Sequence, residues 1–208
     1  MYIDTGLEME EHRFQPMDKD DVEYIVLHHT GVEADQTVET INNFHRFNRG
    51  WAGIGYHFYI RPDGQIYKGR EVTVQGVHTP GANNKSIGIC LTGNFNYSKP
   101  NADQIESVVK LIRWLNKNYK KLEIVGHRDK ASSQCPGDKF PLEEIKEMVG
   151  GKMTKEKKEI EWVNVYVKSI KVEGCLINST LFIPARDSLE LLNNEIEWKS
   201  DEREAHID

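Results

Sequence analysis

Tyr24-Ile25-Val26-Leu27-His28-His29-Thr30 is the stretch that decides the fold. Four consecutive large apolar or aromatic residues, uninterrupted by polar ones and too few for a helix, read as a buried strand that ends at two histidines. Ile87-Gly88-Ile89-Cys90-Leu91 is a second buried strand, in which Cys90 serves as a small core hydrophobe. Glu123-Ile124-Val125 is a third, ending at Gly126-His127. Tyr56-His57-Phe58-Tyr59-Ile60, a turn at Pro62-Asp63-Gly64, and Gln65-Ile66-Tyr67 read as a hairpin. Around these strands the apolar period changes to that of helices. Val38, Ile41, Phe44 and His45 recur at helical spacing, with Asp35 or Thr37 as the N-cap. Ile105, Val108, Val109, Ile112 and Leu115 give the clearest helix. Pro141 suits the first turn of a last helix that buries Leu142, Ile145, Met148 and Val149. The pattern predicts an α/β domain with neither repeats nor low-complexity segments.

Composition sets the outer limits. The 208 residues suffice for one full domain and a small second one, and 38% hydrophobic residues can fill a core. A net charge of −6 argues against a sequence-independent nucleic-acid binder, which needs a basic stripe. No run approaches the ~18–20 apolar residues of a membrane span, so no membrane insertion is expected. The start, Met1-Tyr2-Ile3-Asp4, has neither a basic nor an apolar leader region, which predicts cytoplasmic synthesis without a signal peptide. Cys90, Cys135 and Cys175 are odd in number and far apart, which is not a disulfide framework.

Three positions carry candidate chemistry. His28 closes the first strand, His127 closes the third, and Cys135 follows His127 by eight residues. Ends of neighbouring strands share one edge of a sheet, so groups distant in sequence can converge there. Two imidazoles and a thiolate are ordinary ligands for Zn²⁺, and three protein ligands leave a position open for chemistry. Pro136-Gly137 would fix a tight turn that aims the sulfur. From spacing alone the alternative stays open that two of eight histidines and a cysteine fall at loop starts by chance.

Five ordered motifs bear on that choice. They are Ile25-Val26-Leu27-His28-His29-Thr30, Gly53-Ile54-Gly55-Tyr56-His57-Phe58, Gly76-Val77-His78-Thr79-Pro80-Gly81, Asn84-Lys85-Ser86-Ile87-Gly88-Ile89, and Gly126-His127-Arg128-Asp129 with Cys135-Pro136-Gly137-Asp138. Together, over roughly residues 20–149, they resemble the type 2 N-acetylmuramoyl-L-alanine amidases, a family shared by phage endolysins and peptidoglycan recognition proteins. The resemblance implies a central mixed β-sheet flanked by helices, a zinc ion, and cleavage of the amide joining the muramic acid lactyl group to L-alanine. It implies zinc ligation by His28, His127 and Cys135, the first histidine of the pair being the one that matches. Family members with serine in place of the cysteine typically only bind peptidoglycan, so Cys135 points to an active enzyme. Tyr56 matches a tyrosine that stands near the scissile carbonyl. Ser133 takes the place of a lysine in some phage amidases and a threonine in recognition proteins; it offers a hydrogen bond but no positive charge. His29, Thr30, His45, Arg49, Trp51 and His78 match peptide- and glycan-contacting positions. The Thr79–Asn84 stretch reads as a groove-lining loop, and His57 as structural.

Beyond a polar linker at 150–159, residues 160–208 form a second patterned region, read as a small β-rich α+β domain. Val163, Val165 and Val167 alternate, Ile170 and Val172 lead to a turn at Gly174, and a short helical pattern covers 185–192. Ser179-Thr180-Leu181-Phe182-Ile183-Pro184-Ala185-Arg186 with Glu197-Trp198 resembles the small domain named after the copper amine oxidase N-terminus. Wall anchoring and self-association are its two expected roles; no ligand cluster for copper is present. The whole reads as a peptidoglycan amidase of the endolysin or autolysin kind, acting at the bacterial wall after holin-type release. A non-catalytic peptidoglycan-binding module and a cytoplasmic wall-recycling amidase are the competing readings.

Overall fold

A computed structural model of the protein describes residues 2–151 and, further on, the backbone of 161–167, 170–177, 180–182, 196–199 and 204–207. The chain divides into two compact units, Met1–Lys152 and Met153–Asp208. In the first, strands β1 (Tyr24–His29), β2 (Phe58–Ile60), β3 (Ile66–Lys68), β4 (Ser86–Leu91) and β5 (Glu123–Gly126) form one sheet in the order β3-β2-β4-β1-β5. β2, β4, β1 and β5 run parallel, and β3 returns antiparallel to β2, so the sheet is mixed as expected. Parallel strands covered on both faces need apolar residues on both, which is why β1 and β4 read as continuous apolar runs. All six residues of β4 and the inner four of β1 are buried.

Helices α1 (Val38–Asn43), α2 (Ala102–Asn118) and α3 (Leu142–Val149) complete the unit. One face of the sheet packs Ile25, Leu27, Ile87 and Ile89 against Val108, Leu111, Ile112 and Leu115 of α2. On the other face Cys90 and Tyr59 meet Val38 and Ile41 of α1. Because side chains alternate along a strand, His28 leaves the α2 face occupied by Leu27 and lies opposite Cys90 in register. α2 starts with a complete capping box: Asn101 accepts the Gln104 N–H at 2.9 Å and Gln104 reciprocates on the Asn101 N–H. Asn101→Ala is therefore expected to cost about 1 kcal/mol, read as a lower urea midpoint with an unchanged slope.

Three local expectations need correction. The helix beginning at Thr37, which caps it, keeps α-geometry only to Asn43 and continues as a π-turn over Phe44–Asn48, a widening that apolar spacing does not reveal. The hairpin strand starts at Phe58, not Tyr56, and β5 ends at Gly126, so His127 opens a 3-10 turn that runs to Asp129.

The second unit is a five-stranded sheet of β6 (Glu161–Val167), β7 (Ile170–Ile177), β8 (Thr180–Phe182), β9 (Ile196–Lys199) and β10 (Glu204–Ile207), ordered β8-β7-β6-β10-β9. Gly174 is no turn. It lies inside β7, paired with Val163 of β6. The helical pattern expected at 185–192 and most of the linker at 150–159 fall outside the described residues. Among the described residues no helix is long and apolar enough to cross a membrane.

Candidate metal and substrate site

β1 and β5 are parallel neighbours with Leu27 opposite Gly126, so the next residue on each, His28 and His127, stands at the same edge. Their ring centroids are 4.7 Å apart. Cys135 comes back to them because the loop between is closed on itself: the Arg128 N–H donates to the Cys135 carbonyl at 2.8 Å, and its guanidinium holds the Gln134 carbonyl at 2.9 Å. Gly137 then turns at φ 106°, where a Cβ would stand 2.3 Å from the Phe95 carbonyl carbon, so only glycine fits. The three candidate ligand atoms lie within 4.8 Å of one another, and Cys135 Sγ is 3.6 Å from His28 Nδ1. Zinc held tetrahedrally at roughly 2.05 Å from nitrogen and 2.3 Å from sulfur sets those two atoms about 3.6 Å apart. His127 Nε2 is buried with no hydrogen-bond partner among the described residues. Donor set, spacing and open valence all fit the ion.

The triad stands in a cleft of about 610 Å³. All eleven residues singled out from the sequence line it: His28, His127 and Cys135, with Tyr56 and Ser133, and His29, Thr30, His45, Arg49, Trp51 and His78 around them. Residues 18–138, more than half of the chain, match the family described as N-acetylmuramoyl-L-alanine amidase. The chain belongs to that family. The amidase from Clostridium intestinale named LysC is 37% identical in sequence and superposes with a TM-score of 0.65, over 72% of this chain and 97% of its own. Peptidoglycan recognition protein LE, solved in complex with tracheal cytotoxin, a monomeric diaminopimelic acid-type peptidoglycan, superposes at 0.63 with 27% identity, over 70% of this chain and 92% of its own. Peptidoglycan-recognition protein LB of Drosophila melanogaster is 33% identical over 131 residues, 56% of this chain and 55% of that protein. The chain thus spans about half the length of that relative.

The side chains around the triad are held by specific hydrogen bonds and ring contacts. Tyr56 precedes β2 yet is pinned there: its carbonyl accepts the Arg70 N–H at 3.0 Å, and the next residue donates its N–H to Gly88 at 2.9 Å. Its ring centroid stands 5.2 Å from that of His28 and 5.5 Å from that of His45. His45 accepts the Gly55 N–H at Nδ1, 3.1 Å, which leaves Nε2 as a donor. His29 likewise accepts the Phe95 N–H at Nδ1, and its backbone N–H donates to Cys135 Sγ, 3.3 Å away. Thr30 spends its hydroxyl closing the turn against Gly93. Ser133 Oγ accepts the Cys135 N–H at 3.1 Å, so its own proton is free to donate. Trp51 stacks beside His45 at 4.7 Å, and the exposed Arg49 lies over Phe44. His57 faces away from the cleft and is saturated by Val74 and Gly88.

Burial dominates the electrostatics. It holds His28 and His78 well below the usual imidazole range, with neighbouring imidazoles adding to the effect, and puts His45 and His57 at about 4. All four are neutral at pH 7. Burial also pushes the Cys135 thiol up to about 11, against the His29 N–H and Arg128. Arg70 was not singled out from the sequence. It is buried, donates to the Ile54 and Gln75 carbonyls at 2.6 and 2.8 Å, and so fastens the segment that carries Tyr56.

Proposed function

We propose that the protein is a zinc-dependent N-acetylmuramoyl-L-alanine amidase that hydrolyses the amide between the muramic acid lactyl group and L-alanine, as an endolysin or autolysin acting at the bacterial cell wall. The observation that carries this reading is the His28–Cys135 separation of 3.6 Å at the floor of the cleft, with His127 completing the donor set. When bound, zinc supplies Lewis acidity, polarising the amide carbonyl and bringing water within reach of deprotonation near neutral pH. The chain's own side chains do the rest. Tyr56, beside His28, donates a hydrogen bond to the oxygen on which charge develops. Ser133 offers a second hydroxyl donor at the same edge. His45 presents Nε2–H, Arg49 a charge for carboxylates, and Trp51 an aromatic face, a set suited to a peptide joined to a sugar. The likeness to the LysC amidase supports this reading. The second unit is read as a module that holds the enzyme on the wall or to a second copy.

The test is digestion of purified wall sacculi by the full chain, with and without a chelator. Release of stem peptides with a free L-alanine amino end, stopped by the chelator and restored by zinc, is the expected result. Binding to sacculi with no product under any condition would replace the enzyme by a recognition module. Products cut elsewhere in the stem would move the scissile bond.

A further inference from the structure

His78 is drawn from the sequence as a substrate contact, yet its ring is buried and its Nδ1 faces other side chains of the site. Nδ1 lies 3.0 Å from His28 Nε2 and 2.9 Å from Thr79 Oγ1, which is itself 3.4 Å from His28 Nε2. Nε2 is buried with no partner among the described residues. We propose that His78, with Thr79 beside it, is a positioning residue for His28: its Nδ1 accepts a hydrogen bond from the His28 Nε2–H and so fixes the tautomer whose Nδ1 lone pair faces Cys135. The inference rests on the zinc reading above and deepens it.

A neutral imidazole has one N–H, and the nitrogen that lacks it is the one able to bind a metal. His28 Nδ1 is the atom 3.6 Å from Cys135 Sγ, so the proton belongs on Nε2. Nε2–H needs an acceptor in an interior where His28 is 1% exposed, and His78 Nδ1 is the nearest one. Metal-binding histidines commonly donate their second N–H in this way, which sets ring orientation and basicity. Here the acceptor is a second imidazole rather than a carboxylate, so no charge is added to the site.

The His78 ring is held by a purpose-shaped slot. A Cβ on Gly88 would stand 2.6 Å from His78 Cδ2 and 2.8 Å from Nδ1, and one on Gly76 would stand 2.3 Å from Cδ2. Both positions must lack a side chain for the ring to lie where it does. Asn83 Oδ1 accepts the N–H of His78 at 2.9 Å and of Thr79 at 2.8 Å, fixing the backbone of both. His57 stands edge-on to His78 at 5.7 Å and accepts the Gly88 N–H, holding the wall of the slot.

The experiment pairs His78→Phe, which keeps a ring but no acceptor, with His78→Asn, whose amide oxygen can reach the place of Nδ1. Zinc affinity of the full chain is measured by competition with a chromophoric chelator. The histidine tautomers of the metal-free protein are read by long-range ¹H–¹⁵N correlation. Expected are a zinc affinity about 10–100-fold lower in His78→Phe, recovery in His78→Asn, and loss of the single Nε2–H form of His28 in the first variant alone. Equal melting temperatures of the metal-free proteins separate this from a general loss of structure. Unchanged zinc affinity and unchanged His28 tautomer in His78→Phe would overturn the proposal. Should the wild type bind no zinc while its His28 tautomer still responds to His78, the zinc reading fails and the positioning role stands.

Discussion

Cys135→Ser is expected to leave a folded protein that retains no zinc through gel filtration and has lost its hydrolytic activity. The sulfur is the one donor in the triad that can bring a negative charge to the cation. In the metal-free chain burial holds it as a thiol, with its pKa at about 11. The ion must displace that proton, and the thiolate repays it with a strong bond. A serine hydroxyl does not ionise in this range, and its shorter reach withdraws the donor from the point 3.6 Å from His28 Nδ1 where the sulfur stands. The loss in affinity should exceed the roughly 10–100-fold that follows removal of an outer partner, reaching about 10³-fold or more. The fold should survive, because Cys135 is half-buried and belongs to neither apolar cluster. Metal analysis of the purified variant, with its melting temperature and its activity on sacculi, decides the matter. One equivalent of zinc retained by the serine variant would remove Cys135 from the site.

How far such a site can be read from sequence depends on what the pattern records. The strand carrying His28 was legible because β1 lies inside the sheet, where apolar runs cannot be interrupted, and the short run before His127 because Ile124 and Val125 are buried although β5 is the edge strand. Once β1 and β5 are neighbours, the meeting of the two histidines follows from register alone. Cys135 is different. Its return depends on the Arg128 bonds across the loop and on the turn at Gly137, neither of which leaves a periodic trace. The motif resemblance supplied what periodicity lacked. It brought His78 to the cleft, while the slot between Gly76 and Gly88 that holds its ring exists only when β4 lies beside the preceding loop. Likewise Gly174 has the composition of a turn, while its pairing with Val163 is set by the neighbouring strand.

Tyr56→Phe separates chemistry from metal binding. Phenylalanine keeps the ring that stands between His28 and His45, so zinc affinity and substrate binding should stay near wild type. What disappears is one hydroxyl. Burial, with the Cys90 and Cys135 thiols nearby, drives the Tyr56 pKa well above the usual value of 10. The group is therefore a phenol throughout the working range and acts as a donor, never as a base. A donor aimed at developing negative charge contributes only in the transition state, so its loss falls on kcat and not on KM. The expected drop is about 10²–10³-fold. The direction of that shift, which belongs to the metal-free chain, gives the expected pH dependence. The protonated form that donates is complete below the usual value and persists above it, so Tyr56 adds no alkaline fall in kcat between pH 7 and about 10. A tyrosinate base would do the opposite, with kcat climbing through that interval in the wild type and flat in the variant. Rates of L-alanine-terminated peptide release across that range, with zinc content measured in parallel, distinguish the two. Equal kcat in both proteins would leave Tyr56 as a wall of the cleft and put the weight of oxyanion stabilisation on Ser133.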